Sequence, residues 1–420
     1  MSLSSLRSEW ILLVALAAAI LGFSVEHMLM EAGRIAALAG AGVLVAAIIA
    51  TSIRVAHHAE ILAVKVGDPY GTMILTLSAV LVEVIILAIL MSGESSPTLV
   101  RDTIYAAVML DINGILGLAA LLGGLKHGEQ PYNDDSSRTY SVMILTAMGI
   151  SMIVPEFVPE AKWHLYSAFT IIAMITLYAV FLRMQVGAHS YFFSYSYPNK
   201  TRRKAQQAAR PAVGSGPAVG QGQALERPLP AAPSAANATA PAPARNASAG
   251  SSQPAAAVED EEGSHPGEEA SASLSIGILV VGVVLIGILA EVMSALLNEG
   301  LRDSGAPPVL AALVVATISA APEIMTAMRA ALANRMQAVV NIALGASLST
   351  VILTVSVMEA IALFTGQPFI MAMTPVQTVM VTITLIVAAI NLNDGETNAI
   401  EGMTHFVLFA TFIMLSALGL

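Results

Sequence analysis

Long apolar runs separated by short polar breaks dominate the chain, and the breaks recur at intervals that suit membrane-crossing helices. A helix needs about 17 to 25 mostly apolar residues to cross the hydrocarbon core. Eleven runs approach that length, at approximately 9–25, 33–53, 72–92, 103–123, 140–157, 165–186, 273–297, 308–330, 338–363, 371–390 and 403–420. Residues 189–272 break the pattern. This stretch is rich in Ala, Pro, Ser and Gly, holds almost no large aliphatic side chains, and reads as a disordered cytoplasmic linker with an acidic end, Glu259-Asp260-Glu261-Glu262. The predicted fold is an all-α polytopic membrane protein of about 11 transmembrane helices. Its parts are a leading transmembrane helix at 1–32, a first five-helix repeat at 33–188, the linker at 189–272 and a second five-helix repeat at 273–420.

An odd number of helices per block makes the two blocks insert with opposite orientation, the plan of an inverted-repeat transporter. The basic residues set the direction. With the linker in the cytoplasm, Arg7, Arg54, Lys65, Lys126, Arg138, Arg329, Arg335 and the cluster Lys200, Arg202, Arg203 and Lys204 fall inside, leaving Arg34, Arg101, Lys162 and Arg302 outside. This asymmetry predicts a cytoplasmic N-terminus and an external C-terminus. The first run lacks a basic start and an A-x-A cleavage context, so it is read as a retained helix.

Composition agrees with this setting: 56% of residues are hydrophobic and 11% charged, too apolar for a soluble globule. Cysteine is absent, which excludes disulfides, thiolate ligands and a cysteine nucleophile. There is no Walker-type Gly-x-x-x-x-Gly-Lys run and no His-Glu-x-x-His, so neither a nucleotide-driven pump nor a zinc protease is indicated. The chain reads as a transporter rather than an enzyme. Its expected partners are inorganic cations, protons and the bilayer, with no cofactor and no nucleic acid, and its oligomeric state is left open.

Glu83 and Glu323 carry the candidate chemistry. They lie near the middle of apolar runs in opposite blocks, 240 positions apart. A charge at the bilayer centre costs roughly 2.5 to 3.5 kcal/mol even on the lenient insertion scale. Two such residues at matching places point to a bound positive charge. Oxygen-bearing neighbours fit a hard cation: Thr76 two turns before Glu83, and Ser319 and Thr326 about one turn either side of Glu323. Pro322 has no N–H, which frees the Ile318 carbonyl from its helical partner. On the following helices Asp111, Asn113, Asn341, Ser347, Ser349 and Thr350 add oxygen, and Gly345 would admit a close backbone approach. Asp111 and Asn113 suit either a supporting shell or an interhelical hydrogen bond.

The run Gly67-Asp68-Pro69-Tyr70-Gly71-Thr72, then Leu75-Thr76-Leu77-Ser78, Glu83, Pro97-Thr98-Leu99 and Arg101-Asp102-Thr103, resembles the first repeat of the ChaA-type cation/proton antiporters of the calcium/cation antiporter superfamily. Pro322-Glu323, Gln337, Asn341, Gly345 and Leu353-Thr354-Val355 resemble the second. The resemblance covers roughly 33–190 and 273–420. It implies a ten-helix core of inverted repeats exchanging a cytoplasmic cation for external protons, with Glu83 and Glu323 at the central site and the leading helix of each block as the moving part. Where calcium exchangers carry Gly-Asn ahead of each glutamate, this chain has Ala79-Val80 and Ser319-Ala320. Sodium and potassium therefore stand beside calcium as the transported ion. A passive cation channel, or a carrier for another solute on the same plan, is the alternative.

Several polar residues have plainer readings. Arg101 and Asp102 suit an ion pair at a helix start, and Glu291 a packing or cavity-wall role. His57, His58, His127 and His405 are expected in loops or near helix ends as solvated groups, or less simply as pH sensors.

Overall fold

The computed structural model describes residues 9–66, 70–92, 96–186, 272–302, 304–305, 307, 309–366 and 369–420. The linker with its acidic run and the Gly67-Asp68-Pro69 segment lie outside the described residues. Among the described residues eleven long helices follow in order. They are α1 (Trp10–Glu31), α2 (Arg34–Val66), α3 (Tyr70–Ser92), α4 (Leu99–His127), α5 (Asp134–Phe157), α6 (Trp163–Val186), α7 (Ala272–Leu301), α8 (Val309–Leu332), α9 (Met336–Thr365), α10 (Pro375–Asn391) and α11 (Ala399–Ala417). Ten are long and apolar enough to cross a membrane, and α10, with 17 residues, is shorter. Helices satisfy their own backbone hydrogen bonds, which is what a chain surrounded by hydrocarbon requires.

The clearest departure from the hydropathy pattern is α2. Its apolar run ends near residue 53, yet the helix continues to Val66 through Arg54, His57, His58, Glu60 and Lys65. Polar partners make the extension possible. Arg54 Nε donates to Glu9 Oε2 at 2.7 Å and the guanidinium also pairs with the other carboxylate oxygen. The His58 ring lies 3.2 Å from Glu9 and 3.3 Å from the Ser275 hydroxyl. His58 is thus buried inside a helix rather than solvated in a loop. The cluster fastens α1, α2 and the start of α7 together.

The same end of the bundle carries a two-residue antiparallel ribbon, β1 (Gln130–Pro131) on β2 (Glu396–Thr397). Around it, side chains complete the C-terminus of α8: Lys126 and His127 both reach the Leu332 carbonyl at 2.9 Å, and Gln130 donates to that of Ala331 at 3.0 Å. These are carbonyls a helix end leaves without intrahelical partners. Buried Tyr132 donates to the Asn391 carbonyl at 3.1 Å. Burial, with Asp394 and Glu401 nearby, pushes its phenol up, so it remains a donor. At the opposite end Arg101 pairs with Asp102 at 2.8 Å, as the sequence suggests, while Arg101 also donates to the Ala372 carbonyl and Gln377 to Asp102, each at 2.9 Å.

The centre is packed through small residues. α4 and α11 cross backbone to backbone at Gly117, Gly124 and Gly402. A Cβ at Gly402 would lie 2.2 Å from the Leu121 nitrogen, and one at Gly124 would lie 2.3 Å from the Ala399 nitrogen. Such contact is the usual basis of helix association in lipid, where hydrophobicity distinguishes little between protein and solvent. Gly402→Val should therefore lower thermal stability in detergent by about 1 to 3 kcal/mol, the usual cost of overpacking. Gly277→Val, at a position with open space, should leave the melting temperature near wild type; equal losses would refute the tight crossing.

Candidate cation site

The site is built where α3 and α8 carry their glutamates past two interrupted helices. α4 passes through a π-helical segment at Leu110–Leu116 and α9 through another at Thr350–Thr354. The two segments begin 240 residues apart, the same separation as Glu83 and Glu323. A π segment widens one turn and re-aims the side chains around it, a device frequent at functional sites. Each glutamate helix packs against the π segment of the other block: α3 on that of α9, and α8 on that of α4.

Glu83 is buried, and its Oε2 accepts from Thr354 at 2.7 Å and Thr350 at 3.0 Å. Its Oε1 is buried without a hydrogen-bond partner among the described residues. Asp111, on the α4 π segment, accepts from Ser347 at 3.0 Å. Glu323 has a buried Oε2 likewise without a partner among the described residues. The three carboxylates lie within electrostatic reach of one another, Asp111 of both glutamates and Glu323 of Glu83. Among the described residues, no three carboxylate or imidazole groups are close enough to chelate a metal on their own. A cation shell here would need hydroxyl, carbonyl or water oxygen as well, which suits hard ions that take oxygen ligands in flexible number.

The other sequence candidates are distributed unevenly. Ser347 is buried at the site. Thr76 faces a different group, within hydrogen-bonding reach of the Tyr178 phenol together with Ser349. Ser319 donates to the Ala316 carbonyl at 3.1 Å, turning inward to its own helix. Thr326 is exposed and donates to the Pro322 carbonyl at 2.9 Å, so it is not a ligand in this arrangement. Ile318 is buried on the same helix, and Pro322 supplies no N–H to its carbonyl.

Asn113 resolves to the interhelical reading: it donates to Thr384 at 2.8 Å and lies 2.9 Å from His405, joining α4 to α10 and α11. His405 is accordingly buried mid-helix, not at a helix end. Asn341 is tied to Gln337 at 2.9 Å, and Gln337 in turn accepts from the Asn133 nitrogen at 2.6 Å. This ties Asn341 to the network leading to the β1 loop. Gly345 admits no close backbone, its nearest neighbour being the Tyr140 hydroxyl at 4.0 Å from an added Cβ. Glu291 is exposed. Thr354, the shortest partner of Glu83, had one sequence signal: with Thr350 it makes an i, i+4 hydroxyl pair in an apolar run.

Residues 10–187 and 274–418 match the profile of a family described as sodium/calcium exchanger protein. The chain belongs to this family. Membership makes it a secondary transporter that exchanges cations, and not an enzyme. Curated relatives include the sodium-potassium/proton antiporter ChaA of Escherichia coli, 28% identical over 87% of this chain and 86% of that one. A Ca(2+)/H(+) antiporter of Aphanothece halophytica is 22% identical over 88% and 86%. Among solved structures, native YfkE superimposes with a TM-score of 0.67 over 97% of this chain and 99% of that one, at 16% identity. The H+/Ca2+ exchanger CAX does so with a TM-score of 0.55, covering 97% and 88%, at 14% identity. Both show the same all-helical membrane fold.

Thr354→Val should remove the closer hydroxyl from Glu83 while keeping shape. A hydrogen bond to a charged group is worth about 1.5 to 3 kcal/mol, so cation affinity should change by about tenfold or more. Thr326→Val should leave it unchanged. Equal effects from the two variants, read by equilibrium cation binding in detergent, would contradict the geometry.

Proposed function

We propose that the protein exchanges a cytoplasmic cation for external protons by alternating access at a central site made by Glu83 and Glu323, with Asp111, Ser347, Thr350 and Thr354 as supporting oxygen. The observation that carries this is the pair of buried carboxylate oxygens, Glu83 Oε1 and Glu323 Oε2, that find no partner among the described residues. A buried ionised group left unpaired is strongly unfavourable. Each carboxylate is balanced either by a cation shared with its neighbours or by its own proton. The two occupancies exclude each other, and that exclusion couples the fluxes.

The proposed frame is a leading helix at 1–32 and two inverted five-helix repeats at 33–188 and 273–420, joined by a cytoplasmic linker. The matched spacing of the glutamates and the π segments supports it. The distribution of basic residues supports a cytoplasmic N-terminus in a bacterial inner membrane. For the ion, the similarity to an antiporter named for sodium, potassium and protons, and the absence of Gly-Asn before either glutamate, favour including sodium and potassium beside calcium. The Ile318 carbonyl beside Pro322 is the backbone oxygen best placed in sequence to join the shell of Glu323.

Reconstituted protein should drive a cation against its gradient when a pH difference is imposed, which a passive channel cannot do. Glu83→Gln and Glu323→Gln should each abolish this flux while the protein elutes and melts as wild type. Full proton-coupled transport in either variant would sink the two-glutamate site. Comparing Na+, K+ and Ca2+ in the same assay identifies the cargo.

A further inference from the structure

A fourth carboxylate is buried within the membrane portion, away from the central site. Glu359, on α9, is 2% exposed. Among the described residues it makes no ion pair, and its neighbours from α6 are hydroxyls: Thr170, Ser167 and the phenol of Tyr166, which lies within electrostatic reach. From α3, which also packs on this part of α9, the titratable group is Glu83 itself. An uncompensated charge in this position would be costly.

A proton on Glu359 would avoid this cost, and its hydrogen bonds accommodate one. Thr170 Oγ1 lies 2.5 Å from Glu359 Oε2 and 2.9 Å from the Ser167 carbonyl. A threonine hydroxyl has one proton, and a carbonyl can only accept. When Thr170 donates to Ser167, the contact with Glu359 is satisfied only by a proton on Glu359. Its length fits a carboxyl O–H donating to the hydroxyl as well as the hydroxyl donating to a carboxylate, and only the first leaves no uncompensated charge at this depth.

The position also bears on transport. Glu359 follows Thr354 by five residues on one helix, about 7 to 8 Å along the axis, and Thr354 donates to Glu83. On the other side Tyr166 stands in the second turn of α6, its hydroxyl donating to the Ile150 carbonyl at 2.6 Å. Oxygen-bearing groups thus form two clusters, Thr350 and Thr354 on Glu83, and Thr170, Ser167 and Tyr166 about Glu359, the second lying about two turns of α9 nearer the end of the bundle opposite the β ribbon.

Resting on the proton-coupled function proposed for Glu83 and Glu323, we propose that Glu359 is a second proton-carrying carboxyl, outside the cation site, that exchanges protons between that end of the bundle and Glu83. In the step, the O–H bond of Glu359 breaks, a proton passes along hydroxyl or water oxygen to the Glu83 carboxylate, and an O–H bond forms there. Glu359 then regains a proton from solution. No cation touches it.

The test compares Glu359→Gln, Glu359→Asp and Thr170→Val in the full chain. Two quantities are read: equilibrium binding of the cation that the wild type transports, and proton-driven flux across a range of pH. Gln keeps the size and can still donate to Thr170, so a purely structural role would survive it. The expected result for Glu359→Gln is binding within twofold of wild type with flux reduced at least tenfold and its pH profile flattened. Glu359→Asp should restore much of the flux, and Thr170→Val should shift the profile without loss of binding. Wild-type flux and profile in Glu359→Gln would overturn the proposal, and so would parallel loss of binding and flux. A wild-type protein showing no proton-driven flux would instead remove the function on which the proposal rests.

Discussion

The structure depends on neutralising carboxylates in a medium that does not solvate them. Lipid offers no water to a buried charge, so every acidic side chain at membrane depth must be paired, hydrogen-bonded, protonated or bound to a cation. Glu9 at the ribbon end is held by Arg54 and His58, and Asp102 at the other end by Arg101. Both are structural solutions with a fixed positive partner. Glu83, Asp111, Glu323 and Glu359 have no such partner among the described residues. Hydroxyls supply part of what they need, and in the proposed function a cation or a proton supplies the remainder.

Hydroxyl donors suit that purpose better than basic side chains. An arginine beside Glu83 would satisfy the carboxylate permanently and expel any arriving cation. Thr350 and Thr354 stabilise the charged form through two hydrogen bonds yet leave Oε1 unpartnered. The π segments make this possible, because the wide turn brings Thr350 and Thr354 of α9 toward Glu83 and Asp111 of α4 toward Glu323. The energetic cost of each irregular turn is offset by the rigid packing around it, including the glycine crossing of α4 with α11 and the Asn113 link to Thr384 and His405.

Much of the fold was legible because membrane helices obey one dominant rule, that a spanning segment is apolar for about 20 residues. That rule found eleven helices in the correct order. It misplaced the end of α2 because it registers where hydrophobicity stops, and a helix whose polar side chains find partners outside the hydrocarbon need not stop there. The central glutamates stood out for the same reason the helices did, since each is a charge in an otherwise apolar run. Glu359 carries that signal too, but with no counterpart at a matching place in the other block it is conspicuous only once its surroundings are seen.

The sequence by itself determined the solvent, the number and order of the helices, and which carboxylates lie at membrane depth, because these follow from hydropathy and chain length alone. Which oxygens gather around them was decided by tertiary structure. Thr326 lies one turn from Glu323 yet points outward to its own helix, and Asn341 joins a network at the ribbon end, while Thr354 reaches Glu83 across 271 positions of sequence. Helical periodicity places a side chain on a face, but the partner that face meets depends on how two distant blocks interlock. For Glu83 and Glu323 that interlocking runs through two π turns whose positions no hydropathy pattern records.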